Sequence, residues 1–371
     1  MAAAMGIGRF AYTPLLPQMA AEFDWNYSAA GDVASANFLG YLLGAILAPA
    51  LARSPQVRLW VAASLVGSVA TTALGAVTTE YTLWLALRFA SGVASAFCLV
   101  VITTHLMAAL SRYESGHLGN VHFAGVGLGI MISVFVALDG YDVATQWSRQ
   151  GGAAAFLMLL AWLLLSRQRW DHSQLENTAE LSSPVAQVST WQLVVGYGLF
   201  GYGYVVSATF LVAMAEQVAL VGTFSDARLL WLVVGGATIP SVYLWQWYAQ
   251  KRGLVDALFV SYLVLTVGTY LAGTVQGAAG LIFAAALLGG TFGGITALGL
   301  SLGRAIEPHR IAEIVSTMTV AFSIGQLLGP GVSGRLADLL GGFMWPSLLA
   351  AFVTLLGAAL IWTYRKVSVR F

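Results

Sequence analysis

The sequence predicts an all-α integral membrane protein, with twelve transmembrane helices arranged in two pseudo-symmetric bundles of six. Of its 371 residues, 58% are hydrophobic and only 9% are charged, whereas about a quarter of the residues are charged in a typical soluble protein. Apolar runs of about 20 residues, which cross a hydrocarbon core of roughly 30 Å, recur along the whole chain. One long polar stretch divides these runs into two sets of six, and the two sets resemble each other in sequence.

The apolar runs are interpreted as helices, because stretches such as 151–166 lack the alternation of polar and apolar residues that is found in membrane β-strands. Helical residues rise about 1.5 Å each, so every run is long enough to cross the membrane. We predict spans at about 1–21, 31–51, 59–78, 81–106, 118–138, 151–166, 191–215, 227–249, 255–275, 278–303, 313–336 and 343–364.

The basic residues of the connections predict the orientation, because positively charged connections stay on the cytoplasmic side. With both termini inside, twelve of the 17 lysines and arginines are cytoplasmic and three lie on the other side. The remaining two, Arg9 and Arg88, fall within predicted spans. We therefore expect a multi-pass protein with both termini in the cytoplasm.

The polar stretch 167–190 is predicted to be a cytoplasmic linker between an N-terminal bundle, 1–166, and a C-terminal bundle, 191–371. The two halves contain an internal repeat. GIGRFAYTPLLPQMA at 6–20 aligns without gaps on GYGYVVSATFLVAMA at 201–215, and both segments keep the G-x-G pair and the closing Met-Ala. Two parallel six-helix repeats are typical of transporters that bind their solute between the halves.

Several segments carry a resemblance to a known family. They include GIGRFAYTPLLP in the first span, ASANFLGYLLGA in the second and GYGYVVSATFL in the seventh. In the fourth span, Arg88, Gly92 and Ala96 fit the pattern R-x-x-x-G-x-x-x-A, called motif B. The chain resembles the major facilitator superfamily, and within it the YbfB/YjiJ-type branch. This resemblance implies the major facilitator fold and solute transport by alternating access in a bacterial cytoplasmic (inner) membrane.

Arg9 and Arg88 are the main candidates for solute binding. A charged arginine at the centre of a membrane costs about 2.5 to 3.5 kcal/mol, so its presence needs a reason. A guanidinium stays charged and binds a carboxylate, phosphate or sulfonate through two parallel hydrogen bonds. We therefore predict that both arginines face one midplane cavity and bind an organic anion.

The alternative is that both arginines bind carbonyls at helix ends, or polar neighbours, and stabilise the bundle. For Arg88 the two interpretations stay open. For Arg9 the repeat favours a functional role, because its equivalent in the second half is Tyr204, and a requirement of the fold would appear in both halves.

Tyrosines and amides supply further candidates, since a tyrosine combines an apolar wall with one polar group. One helical turn from Arg9 lies Tyr12, and the equivalent face of the seventh span carries Tyr197 and Tyr204. Each of these tyrosines has the alternative role of packing between helices. The full set of predicted substrate-binding residues is Arg9, Tyr12, Asn37, Tyr41, Arg88, Tyr197, Tyr204, Thr209 and Gln326.

Proton coupling requires a group that titrates, and no acidic residue is predicted at mid-depth in a span. The candidates are His122, which can change charge near neutral pH, together with Arg88 and Glu216. The net charge of +1 points to no nucleic-acid partner. We expect no catalytic residue, no metal, no cofactor and a monomer.

The sequence thus predicts a secondary active transporter, not an enzyme, that moves a small organic solute and whose solute is an anion. Its partners would be that solute, membrane lipids, and protons or a counter-anion, so that it works as a symporter or an antiporter. One alternative is an exporter of amphipathic drugs or metabolites, which the aromatic seventh span would also suit. The other is a membrane sensor or scaffold that has a transporter fold and transports nothing.

Overall fold

The computed structural model describes residues 1–111, 119–137, 140–165, 189–218 and 226–366. In these ranges the chain is helical and contains no strand. Twelve α-helices, numbered α1 to α12 in chain order, have the bounds Tyr12–Glu22, Tyr27–Ala52, Val57–Leu74, Tyr81–Ser111, Gly119–Val136, Val143–Leu165, Trp191–Glu216, Arg228–Arg252, Leu254–Thr274, Ala278–Ile306, Ile311–Leu340 and Met344–Trp362.

The prediction of twelve helical spans is confirmed, since each predicted span overlaps one of these helices. Among the described residues, nine helices are long and apolar enough to cross a membrane. The predicted linker 167–190 lies outside the described residues, except for its last two positions.

The first span differs from a regular helix. The N–H of Gly8 donates to the carbonyl of Ala3 at 2.8 Å, five residues back, and a regular α-helix begins only at Tyr12. Pro14 has no N–H, so the carbonyl of Phe10 instead accepts from the Thr13 N–H at 3.3 Å. The first span is therefore irregular between Gly8 and Tyr12, next to Arg9.

The sixth helix begins at Val143, well before the predicted start near 151. The first residues of this helix are polar, which in the sequence is typical of a loop, but several of their side chains form hydrogen bonds inside the bundle. The Gln150 amide donates to the Ser133 carbonyl at 2.7 Å, and the Trp147 indole N–H donates to the Met19 sulfur at 3.4 Å. Because these buried N–H groups are paired, the two residues continue the helix.

A capping aspartate fixes the start of α6. The Asp142 carboxylate accepts a hydrogen bond from the backbone N–H of Thr145 at 2.9 Å. Hydrogen bonds from the side chain and backbone of Thr145 hold the pKa of Asp142 below its usual value.

The two halves meet mainly along the helix pairs α2 with α11, α5 with α8 and α1 with α7. Two of these contacts depend on glycine. A Cβ atom on Gly31 would lie 2.4 Å from the Pro330 carbonyl oxygen, and one on Gly127 would lie 2.5 Å from the Gly235 carbonyl oxygen. Any larger residue would push the halves apart at these points, so small residues set the distance between the bundles.

One end of the bundle is closed by polar contacts between the halves, and we call it the closed end. The carboxylate of Asp338, on α11, accepts hydrogen bonds from the backbone N–H groups of Tyr27 at 3.0 Å and Ser28 at 2.7 Å, at the start of α2. Arg335 makes a two-pronged ion pair with Asp32, at 2.7 and 2.9 Å. The C-terminal half thus supplies both an anionic helix cap and a cation to the N-terminal half.

At the opposite end a cavity of about 320 Å³ lies between α2 and α4 of the first half and α11 of the second. We call this the cavity end. Its lining residues are Ala45, Ile46, Pro49, Ala52, Arg53, Val100, Thr104, Val315, Ser316, Thr319 and Val320.

Candidate functional site

Arg9 lies at the break in the first span and is only 3% exposed. Its guanidinium carbon is 4.2 Å from the ring centroid of Tyr41, 4.7 Å from that of Phe38 and 5.6 Å from that of Phe10. These distances are short enough for cation–π attraction, which offsets part of the cost of burying the charge. The Nε and Nη2 groups of Arg9 have no hydrogen-bond partner. The side chain therefore holds two charged donors that an anion would satisfy.

The hydrogen bonds of the Arg88 guanidinium go to backbone carbonyls. Its Nη1 donates to the carbonyl of Gly8 at 3.1 Å, and its Nη2 donates to the carbonyl of Arg9 at 2.9 Å. The Ser91 hydroxyl also donates to the Gly8 carbonyl, at 3.0 Å. These donors pair the carbonyls at the break in the first span, so Arg88 supports the backbone that carries Arg9.

Tyr12 and Asn37 extend this support. The Arg88 guanidinium carbon lies 5.0 Å from the Tyr12 ring centroid, and the Tyr12 hydroxyl donates to the Ala30 carbonyl at 2.8 Å. The side-chain amide of Asn37 donates to the Arg88 carbonyl at 3.0 Å. Together they connect the break to α2 and α4.

Because Arg88 pairs the carbonyls of Gly8 and Arg9, we expect Arg88→Gln to destabilise the protein. The glutamine side chain is shorter and uncharged, so it cannot replace both hydrogen bonds. A hydrogen bond to a charged group contributes about 1.5 to 3 kcal/mol. We expect the free energy of unfolding to fall by roughly 2 to 4 kcal/mol, measured as a lower melting temperature in detergent. The exposed Arg252, at the end of α8, provides the control Arg252→Gln. Equal melting temperatures for the two variants would show that Arg88 does not support the break.

Tyr204 faces this region from the second half. The side-chain amide of Gln326 donates to the Tyr204 hydroxyl oxygen, which leaves the Tyr204 O–H to donate elsewhere. The Tyr204 ring is nearly parallel to those of Phe292 and Phe322, with interplanar angles of 6° and 1° and ring centroids 5.7 Å apart in both pairs. Gln326 Oε1 is buried without a partner. The second half therefore offers one hydroxyl donor and one amide acceptor on an aromatic wall.

The other predicted residues of α7 lie around this wall. The Tyr197 hydroxyl donates to the Thr296 carbonyl at 3.3 Å, and its ring packs on Phe322 with the centroids 5.2 Å apart. Thr209 is buried. Of the predicted set, Arg9 and Tyr41 of the first half lie close enough to Tyr204 of the second half to interact electrostatically with it, and Gln326 is hydrogen-bonded to Tyr204.

The candidates for proton coupling are spread out. The His122 Nε2 atom pairs with the Thr103 hydroxyl at 2.8 Å, between α5 and α4. Glu216 is the exposed last residue of α7, on the same side as the closed end. Arg88 alone of the three contacts the backbone of Arg9.

Four aromatic residues in the region of Arg9 were not among the predicted ones: Phe10, Phe38, Trp231 and Phe292. The ring of Phe10 approaches Trp231 and Phe292 of the second half, with centroid distances of 6.1 and 6.3 Å. Phe10 directly follows Arg9, a signal that the sequence contains. Nothing in the sequence distinguishes Trp231 and Phe292 from aromatic residues that face lipid.

Comparison with known proteins gives consistent results. Residues 1–362 match the family described as "Uncharacterised MFS-type transporter YbfB". The chain is 24% identical over 334 residues to the uncharacterized MFS-type transporter YcaD of Escherichia coli (strain SE11), covering 87% of this chain and 83% of that protein.

Two solved structures share the fold. The crystal structure of the nucleoside transporter NupG has a TM-score of 0.72 at 13% identity and covers 98% of this chain and 97% of its own. The crystal structure of a D-xylose-proton symporter has a TM-score of 0.72 at 13% identity, and the match covers 99% of this chain and 96% of the symporter chain. The predicted fold of two six-helix bundles is thereby confirmed.

Proposed function

Because the chain belongs to the YbfB family of MFS-type transporters, we propose that it is a secondary active transporter that moves a small organic anion by alternating access. The observation that carries the anion proposal is Arg9, a buried guanidinium between the two halves with two unpaired N–H donors. A carboxylate accepts both bonds in one plane and neutralises the charge.

The opposite half supplies groups for the rest of the solute. Tyr204 and Gln326 come from α7 and α11, whereas Arg9 and Tyr41 come from the first span and α2. A solute that contacts both sets would bind the halves differently in each conformation, as alternating access requires. This placement at the interface supports transport over a role as a sensor or scaffold.

The two ends of the bundle support a specific conformation. We propose that both termini are cytoplasmic in a bacterial inner membrane, so that the closed end faces outward and the cavity end faces the cytoplasm. The structure would then be an inward-facing state, in which Asp338 and Arg335 hold the outer side shut.

Coupling to protons or to a counter-anion belongs to the same proposal. His122, Arg88 and Glu216 stay the candidates for proton coupling. In an exchange mechanism, a second anion would pair with Arg9 on the return step, so that the change of conformation takes place with the guanidinium neutralised.

A thermal-shift screen of the purified protein tests the proposed substrate class. A ligand that binds only the folded state stabilises it and so raises the melting temperature. At a ligand concentration of a hundred times the Kd, the free energy of unfolding increases by about 2.7 kcal/mol. We expect carboxylates or sulfonates to raise it, and neutral sugars to leave it unchanged. Stabilisation by cationic amphipathic drugs alone would instead support the drug exporter and contradict the anion proposal.

A further inference from the structure

The second half presents an aromatic pocket to Arg9, formed by Tyr204, Trp231 and Phe292. The ring of Phe10 lies in this pocket, although Phe10 belongs to the first half. It meets Trp231 at an interplanar angle of 58° and Phe292 at 64°, with the centroid distances given above. Phe10 is 5% exposed. In this conformation, therefore, the pocket holds a benzene-sized ring that lies next to the Arg9 guanidinium.

The pocket contains a small space that packing does not fill. A cavity of about 10 Å³, roughly the size of one water molecule, borders Phe10, Tyr204, Trp231 and Phe292. The indole N–H of Trp231 is buried without a hydrogen-bond partner. Four aliphatic residues complete the lining: Ile130, Ala208, Val234 and Leu288.

We propose that the transported anion carries an aromatic ring, and that this ring takes the place of the Phe10 side chain in the aromatic pocket while the anionic group binds Arg9. The inference rests on the proposed function of Arg9. The guanidinium carbon lies only 5.6 Å from the Phe10 centroid, so one small aryl carboxylate reaches both positions.

Exchange of one ring for another is energetically mild. The ring contacts that Phe10 gives up with Trp231 and Phe292 are remade by the solute. Aromatic pairs also contribute more than their buried area alone, through edge and offset contacts between rings. A saturated group of the same size would not make these ring–ring contacts, so it would bind with less favourable free energy.

Matched pairs of ligands test the ring requirement. The probes are benzoate against cyclohexanecarboxylate, and phenylacetate against cyclohexylacetate, with binding to the purified full-length protein measured by titration calorimetry. We expect the aromatic member of each pair to bind about 3- to 10-fold more tightly. The Trp231→Leu variant should reduce that ratio to near one.

Phe10→Ala tests displacement directly, because it empties the pocket in advance. If the ring of the solute replaces Phe10, benzoate and phenylacetate bind this variant more tightly than the wild type, by roughly 3-fold or more. The control is Phe259→Ala, which removes a ring packed on Trp362 with a centroid distance of 4.3 Å, away from Arg9, and should leave both affinities unchanged.

The outcomes separate the two proposals. Equal binding of the aromatic and saturated acids, with both lost in Arg9→Gln, would overturn the ring requirement and leave the anion site standing. Weaker binding of benzoate in Phe10→Ala, with Phe259→Ala unaffected, would overturn the displacement. If none of the four acids binds in an Arg9-dependent manner, the anion site and the ring requirement both fail.

Discussion

Replacing Arg9 by glutamine is expected to abolish anion transport without destabilising the protein. The variant loses both unpaired charged donors, each of which contributes about 1.5 to 3 kcal/mol to binding an anion, so uptake should fall by roughly 100-fold or more. Arg9→Lys keeps the charge but not the two-pronged geometry, and should retain about a tenth of the activity. Uptake into proteoliposomes of the carboxylate that gives the largest thermal shift measures both effects.

The stability of the same variant distinguishes function from support. A buried cation with unpaired N–H groups does not stabilise the fold, so Arg9→Gln should unfold at the wild-type temperature or above it. Arg88→Gln should behave in the opposite way, because the Arg88 guanidinium pairs two carbonyls at the break. A melting temperature for Arg9→Gln as low as that of Arg88→Gln would mean that Arg9 also supports the fold, against the proposal.

The second large effect concerns the closed end. Asp338→Asn removes the anionic cap that α11 supplies to the start of α2, and one amide oxygen replaces a carboxylate that accepts from two backbone N–H groups. Asp338 is exposed, so the expected change is modest in energy, about 1 to 2 kcal/mol, but it favours opening by roughly 5- to 30-fold. The ion pair of Arg335 with Asp32 is also solvent-accessible and adds at most about 1 kcal/mol.

Distances between spin labels across the closed end measure this shift. Tyr141 and Trp345 are exposed, lie in different halves near that end and accept labels as cysteines, once the natural Cys98 has been replaced by alanine. We expect Asp338→Asn to populate longer distances. The control Glu313→Gln removes an ion pair with Arg310 that lies within the second half, and should change nothing. An unaltered distribution in Asp338→Asn would show that the cap does not hold this end shut.

The helices and the central charge were predictable from the sequence for simple reasons. Apolar length defines a span whatever its neighbours are, and a charge such as Arg9 is so costly in a membrane that its position alone marks it. The repeat added a comparison within the chain, because the position equivalent to Arg9 is Tyr204. Both residues lie where the two halves meet.

The break in the first span and the early start of α6 were not predictable, because both depend on partners far away in sequence. The carbonyls exposed at the break are paired by Arg88, and the polar start of α6 by residues such as Ser133. The aromatic pocket could not be predicted from the sequence for a different reason. Trp231 and Phe292 have the same apolar character whether a helix turns them to lipid or to the opposite half.

The most direct test of the anion site is an experimental structure of the protein with the carboxylate that gives the largest thermal shift. We expect density for the carboxylate within hydrogen-bond distance of Arg9 Nε and Nη2, between the first span and Tyr204. Carboxylate density elsewhere, such as beside Arg53 at the cavity end, with the Arg9 donors paired to the protein, would contradict it.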